Sequence, residues 1–271
     1  MSQPLEPRSG VERIAKAFEA RSGKAALMPY MMGGFPDLAG SLQVGQALAA
    51  AGADVVELGV PFSDPLADGP AIQAAGATAL HAGASYEAVL DQAGAPLARL
   101  VPVVVMCYAN LIHTRGFEHV AAGLAEHDVA GLIVPDLPAR EAGDLREECD
   151  RHEIALVPLV APTTPPDAVE DICASARGLV YVVSVTGVTG ERERLPAGLR
   201  DVVARVRAAA TVPAAVGFGV GTPEQAAEVA AIADGVIIGT RLVRAIAEAP
   251  SLEQGIAEAG EFLRRCRTAL R

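Results

Sequence analysis

Lysine is nearly missing from this chain: it occurs only at Lys16 and Lys24, both ahead of the first candidate strand. A Schiff base on a buried lysine therefore has no candidate, which excludes imine-based carbon–carbon cleavage. Histidine is also sparse. His81, His113, His119, His127 and His152 form no HxH or HxxE grouping, so the usual ligand set for a catalytic divalent ion is missing. Cys107, Cys149, Cys173 and Cys266 show no CxxC or Cys/His spacing, and reduced thiols in a cytoplasmic protein are the simplest account of them. There is no tryptophan, and aromatic residues make up 4% of the chain. Apolar runs are broken by Arg, Pro or Gly well before membrane-spanning length, and the residues around Glu6, Arg8, Glu12 and Arg13 lack the apolar core of a secretion signal. The net charge of -11, with its acidic residues dispersed, argues against a nucleic-acid surface. Neither a nucleophile elbow nor a dinucleotide fingerprint is present.

What the sequence does contain is a repeating unit, in which a helix ends near Gly, His or Asp and a short apolar strand follows. It recurs at residues 50–57, 125–134, 152–159 and 233–239. Candidate strands are 27–32, 54–58, 103–107, 129–134, 154–159, 179–184, 212–216 and 235–238. They read as continuous apolar runs, as strands do in a parallel sheet covered on both faces, and amphipathic segments separate them. Eight β-α units close most naturally into an α/β (β/α)8 TIM barrel, and barrels of about 250 residues routinely form one domain. The structural rival is a doubly wound open sheet. Residues 11–21 read as an extra N-terminal helix, and the long gap after the second strand holds further helix at 71–82 and 86–99. No linker divides the chain, so residues 1–271 are expected to form one TIM-barrel domain.

In such a barrel the reactive groups sit on the loops after the carboxyl ends of the strands. Glu57 ends an apolar strand there, and Asp68 lies on the irregular loop that follows, in Glu57-Leu-Gly-Val-Pro-Phe-Ser-Asp-Pro-Leu-Ala-Asp68-Gly-Pro70. Burial raises the pKa of Glu57 toward neutrality, while Asp68, out on the loop, more easily stays ionised; such a split divides acid and base work. The plainer alternative is a capping Glu and a turn-forming Asp. Gly217-Phe218-Gly219 follows the seventh strand and Gly239-Thr240 the eighth, two adjacent loops whose backbone N–H groups suit a phosphate. The glycine-bearing polar segment 184–194 after the sixth strand is long enough to hinge over a ligand.

The Glu57–Pro70 segment closely resembles the signature of the tryptophan synthase α subunit family, and the resemblance runs along nearly the whole chain. It implies cleavage of indole-3-glycerol phosphate to indole and glyceraldehyde 3-phosphate, a retro-aldol reaction needing neither metal nor imine. By motif position, Glu57 corresponds to the proton-transferring carboxylate and Asp68 to the one that hydrogen-bonds the indole nitrogen. Tyr181 matches a tyrosine near the catalytic Glu, and Thr189 a loop threonine that meets the catalytic Asp on closure. Gly190, Gly219, Gly239 and Thr240 match phosphate-binding positions, and Tyr30, Ile72, Ile133 and Phe218 an apolar wall. The resemblance also implies a partner, the β subunit, in an α2β2 heterotetramer. That subunit would carry pyridoxal phosphate, with no cofactor in this chain. Pro61, Asp64, Pro65, Asn110 and Pro138 fall at matching interface positions. Two departures stand out: Met32 replaces a common Thr, and Val185 an Arg found in some relatives. Two rival readings are a different phosphate-binding barrel, such as a sugar-phosphate isomerase, and a catalytically idle regulatory subunit. The isomerase would want a His or Lys at a strand end, and the idle subunit would be expected to lose Glu57 or Asp68.

Overall fold

A computed structural model describes residues 9–184, 196, 198–217 and 219–270. Its strands are β1 (Ala26–Met32), β2 (Val56–Gly59), β3 (Val103–Met106), β4 (Gly131–Ile133), β5 (Ala155–Val157), β6 (Leu159–Val160), β7 (Val180–Val183), β8 (Ala214–Gly217) and β9 (Gly235–Ile238). All pairings are parallel, in the order β5-β4-β3-β2-β1-β9-β8-β7-β6. The two ends of that order, β5 and β6, are neighbours in the chain, so the sheet is a ring and the fold is a TIM barrel.

The fifth predicted strand, 154–159, is in fact two short strands with Pro158 between them. Proline has no N–H to give a ladder, and the pairing changes partner at this point. Residues before it pair with β4 and residues after it with β7, while the Pro158 carbonyl accepts from Tyr181 N–H at 2.9 Å. Three other predicted strands, β2, β4 and β8, start two residues later than expected, and at β2 and β8 an aspartate side chain lies beside the strand start. The Asp54 carboxylate accepts from Leu27 N–H at 2.7 Å, and that of Asp234 from Ala214 N–H at 2.9 Å.

The predicted N-terminal helix is present as Gly10–Glu19, capped by the Ser9 side chain on Glu12 N–H. It packs under the amino ends of the strands. A side-chain carbon at Gly10 would lie 2.3 Å from the Ala130 carbonyl oxygen, so only glycine lets the helix come this close. Ile14, wholly buried, points its Cδ1 at Gly131 and Gly178, and the Phe18 ring reaches Gly235. Burying such side chains favours folding by about 1.5–3 kcal/mol each. Beside them, Asp54 is clasped by Arg21 at 3.0 Å and by Arg267 of the C-terminal helix Leu252–Ala269.

Candidate active site

The opposite end of the barrel carries the acidic groups. Glu57 lies within β2, in register with Tyr30 of β1 and Val104 of β3, and is 1% exposed. Among the described residues its Oε2 has no hydrogen-bond partner. Loss of hydration, followed by the nearby charge of Asp68, raises its pKa from 4.5 to about 8.

Asp68 is not out in solvent as its loop position suggests, but 6% exposed. The loop folds back through turns, Leu66 N–H to Asp64 at 3.0 Å and Asp68 N–H to Pro65 at 3.1 Å, and Gln73 holds the Asp68 carbonyl at 2.8 Å. Burial raises the Asp68 pKa to about 6, against the pull of a hydrogen bond from the Tyr108 hydroxyl. The expected split therefore stands, with Glu57 holding its proton more tightly than Asp68, although both are buried.

Tyr30 and Tyr181 fill the barrel centre, and two glycines make room for them. A side-chain carbon at Gly59 would lie 2.2 Å from the Tyr30 hydroxyl oxygen, and one at Gly217 only 2.1 Å from that of Tyr181. Both phenols are pushed well above their ordinary pKa, first by burial and then by the neighbouring carboxyl groups, so they remain neutral donors. Met32, the departure in the first strand, places its sulfur 4.0 Å from the Tyr30 hydroxyl. Its methyl lies over Gly76 of the helix Pro70–His81.

Gly219 has φ +94°, a conformation that strains other residues. It follows β8, whose neighbour β9 leads through Gly239 into the helix Thr240–Glu248. Among the described residues that helix has no side-chain cap at its start.

Against known proteins, the profile of the family described as "Tryptophan synthase alpha chain" matches residues 17–271. The chain belongs to that family. It is 45% identical to the tryptophan synthase alpha chain of Synechococcus sp. (strain CC9902), over 94% of this chain and 96% of the relative. It is 42% identical to that of Chloroflexus aurantiacus, over 96% and 99%. Among solved structures, a Mycobacterium tuberculosis tryptophan synthase superposes with a TM-score of 0.85 at 35% identity, covering 94% of this chain and 98% of that one. The tryptophan synthase subunit alpha of Legionella pneumophila gives 0.87 at 32%, covering 97% and 98%.

Of the positions carried over from the family, Glu57, Asp68, Tyr30 and Tyr181 lie within one another's electrostatic reach. Ile72, on the first turn of its helix, and Ile133, at the end of β4, are both buried. Gly219, Gly239 and Thr240 leave neighbouring strands. Thr189, Gly190, Phe218 and the departure at Val185 lie outside the described residues. The expected interface positions follow β2, β3 and β4. Asp64, Asn110 and Pro138 are exposed and Pro65 is half-buried, whereas Pro61 is buried in the isolated chain. Among the described residues, no group of three His, Cys, Asp or Glu side chains could hold a metal ion.

One residue of the site escaped the sequence reading. Tyr108, just past β3 and 4% exposed, accepts from Ala67 N–H at 3.1 Å, stacks on Phe62 with ring centroids 5.1 Å apart, and lowers the proton affinity of Asp68 through its hydroxyl. A tyrosine with a polar tip ending an apolar strand was the available signal.

Proposed function

We propose that this chain is the lyase subunit of tryptophan synthase, cleaving indole-3-glycerol phosphate into indole and glyceraldehyde 3-phosphate. The observation that carries this reading is the pair of buried carboxyl groups with separated proton affinities, set at the carboxyl ends of the strands in a barrel of this family. Asp68, ionised above about pH 6, accepts the indole N–H and offsets the positive charge that grows on the ring as C3 takes a proton. Glu57, protonated below about pH 8 in the free chain, supplies that proton. Its carboxylate then takes the proton of the glycerol hydroxyl next to the ring. The bond between that carbon and C3 breaks, its electron pair returns to the ring, and an aldehyde and indole leave.

Tyr30, Ile72 and Ile133 wall the ring, joined by Tyr181 beside Glu57. The N–H groups around Gly219, Gly239 and Thr240 receive the phosphate, where a helix start favours negative charge. Thr189, Gly190 and Phe218 keep the roles that the family resemblance gives them. The partner is the β subunit, in an α2β2 assembly, docked on the loops after β2, β3 and β4. Four buried, unpaired thiols suit a cytoplasmic setting, and no described helix is long and apolar enough to cross a membrane. The test is indole release from indole-3-glycerol phosphate, measured with and without the β subunit. Release that rises as the pH passes about 6 and grows on adding the partner is expected. No release under either condition overturns the assignment.

A further inference from the structure

Asp136 stands on the loop after β4, away from the reacting groups, yet its Oδ1 accepts from Ala109 N–H at 2.8 Å. That bond crosses from one strand's loop to the next and caps the first N–H of the helix Ala109–Arg115, immediately after Tyr108. Tyr108 in turn holds the Asp68 loop by two contacts, Ala67 N–H on its hydroxyl oxygen and its ring against Phe62, and its hydroxyl lowers the proton affinity of the Asp68 carboxylate. Below this layer the ladder is already fixed, with Val60 N–H on Met106 at 2.9 Å and Cys107 N–H on Ile133 at 3.0 Å. The backbone of Tyr108 is therefore anchored on its strand side by the sheet and on its helix side by Asp136.

We propose that Asp136 is a positioning residue for Asp68, acting through Tyr108: by fixing the backbone at Ala109 it sets the phenol that orients the Asp68 carboxylate. The proposal rests on the lyase reading above. Asp136 touches no substrate. Its effect is that Asp68 presents its charge in one direction and ionises more readily than its burial would otherwise allow. The groups facing Asp68 are Glu57 on β2, Tyr30 on β1, Tyr181 on β7 and Tyr108 past β3. Of these only Tyr108 is the chain neighbour of Ala109, whose N–H Asp136 holds.

The test is the pH profile of kcat/KM for indole release by the full chain. In Tyr108→Phe the lost hydrogen bond moves the acidic limb to higher pH, by roughly half a unit to one unit. Asp136→Ala moves the limb the same way, lowering kcat/KM roughly three- to tenfold on the acid side and much less on the plateau. Asp136→Asn, which keeps an acceptor for Ala109, stays near wild type. The double variant Tyr108→Phe/Asp136→Ala shifts no further than Tyr108→Phe alone, because the two act in series. Should the alanine variant fail to fold, Asp136→Ser withdraws the acceptor by one carbon and carries the same expectation. A limb unmoved by Asp136→Ala or by Tyr108→Phe, or an additive double variant, overturns the proposal. The parent reading fails separately, through full turnover in Glu57→Gln and Asp68→Asn.

Discussion

Asp54, just before β2, and Glu57 within it lie three residues apart, about 10 Å along the extended chain, and the chain treats their charges in opposite ways. Asp54, at the amino end of the barrel, takes Leu27 N–H and two arginines onto its carboxylate. Glu57, facing the carboxyl end, has an oxygen with no partner among the described residues and Asp68 near it. The amino end is plugged with Ile14 and Phe18, while the carboxyl end holds buried acids that favour the unfolded chain whenever they ionise. One end is built for stability, and the other gives some of it up for proton affinity near neutral pH.

The contrast breaks first at Glu57. Glu57→Gln keeps the shape and cannot carry a proton, so indole release should fall roughly 10²- to 10⁴-fold with the fold intact; wild-type turnover would reassign Glu57 to packing. Asp68→Asn should lose on the order of 10²-fold, since an amide does not offset charge at the ring nitrogen. Equal activity would return Asp68 to a turn role. At the other end, Ile14→Ala should cost about 2–5 kcal/mol in denaturant unfolding while leaving turnover per folded molecule unchanged. A variant that unfolds normally but loses activity would erase the division between the ends.

The finest test uses pH. The pKa of Glu57 is raised on folding, so its contribution is fully present below about 4.5 and is lost as the pH climbs to about 8. Asp68 behaves alike between 3.8 and about 6. Glu57→Gln should therefore be more stable than wild type at pH 9, by roughly 1–3 kcal/mol, with the gap closing near pH 4.5. Equal stability at both values would show that Glu57 is better solvated than its burial implies.

The barrel was readable because continuous apolar runs recur at regular spacing, and Glu57 because a carboxylate closing such a run is out of place. The errors were local. Asp54 and Asp234 offer side-chain acceptors to Leu27 and Ala214 on neighbouring strands, where the sequence reading had only backbone ladders, and Pro158 split a strand that hydropathy alone leaves whole. Asp68 read as exposed because loops rich in Pro and Gly usually run over the surface; the contacts that bury it come from Tyr108 and Gln73, which no local pattern announces. The Met-Cys-Tyr-Ala run around Tyr108 likewise gives no sign that its phenol reaches another loop.

Pro158 also decides where the molecule can be divided. Among the described residues, β5 has ladder partners only on β4 and β6 only on β7, so at this one point the circle is completed by covalent continuity alone. A protease nick there would leave two fragments whose sheets share one surviving ladder, β1 against β9. Complementation between separately expressed halves should accordingly depend on that edge and on the Asp54–Arg267 clasp that links the first fragment to the last helix.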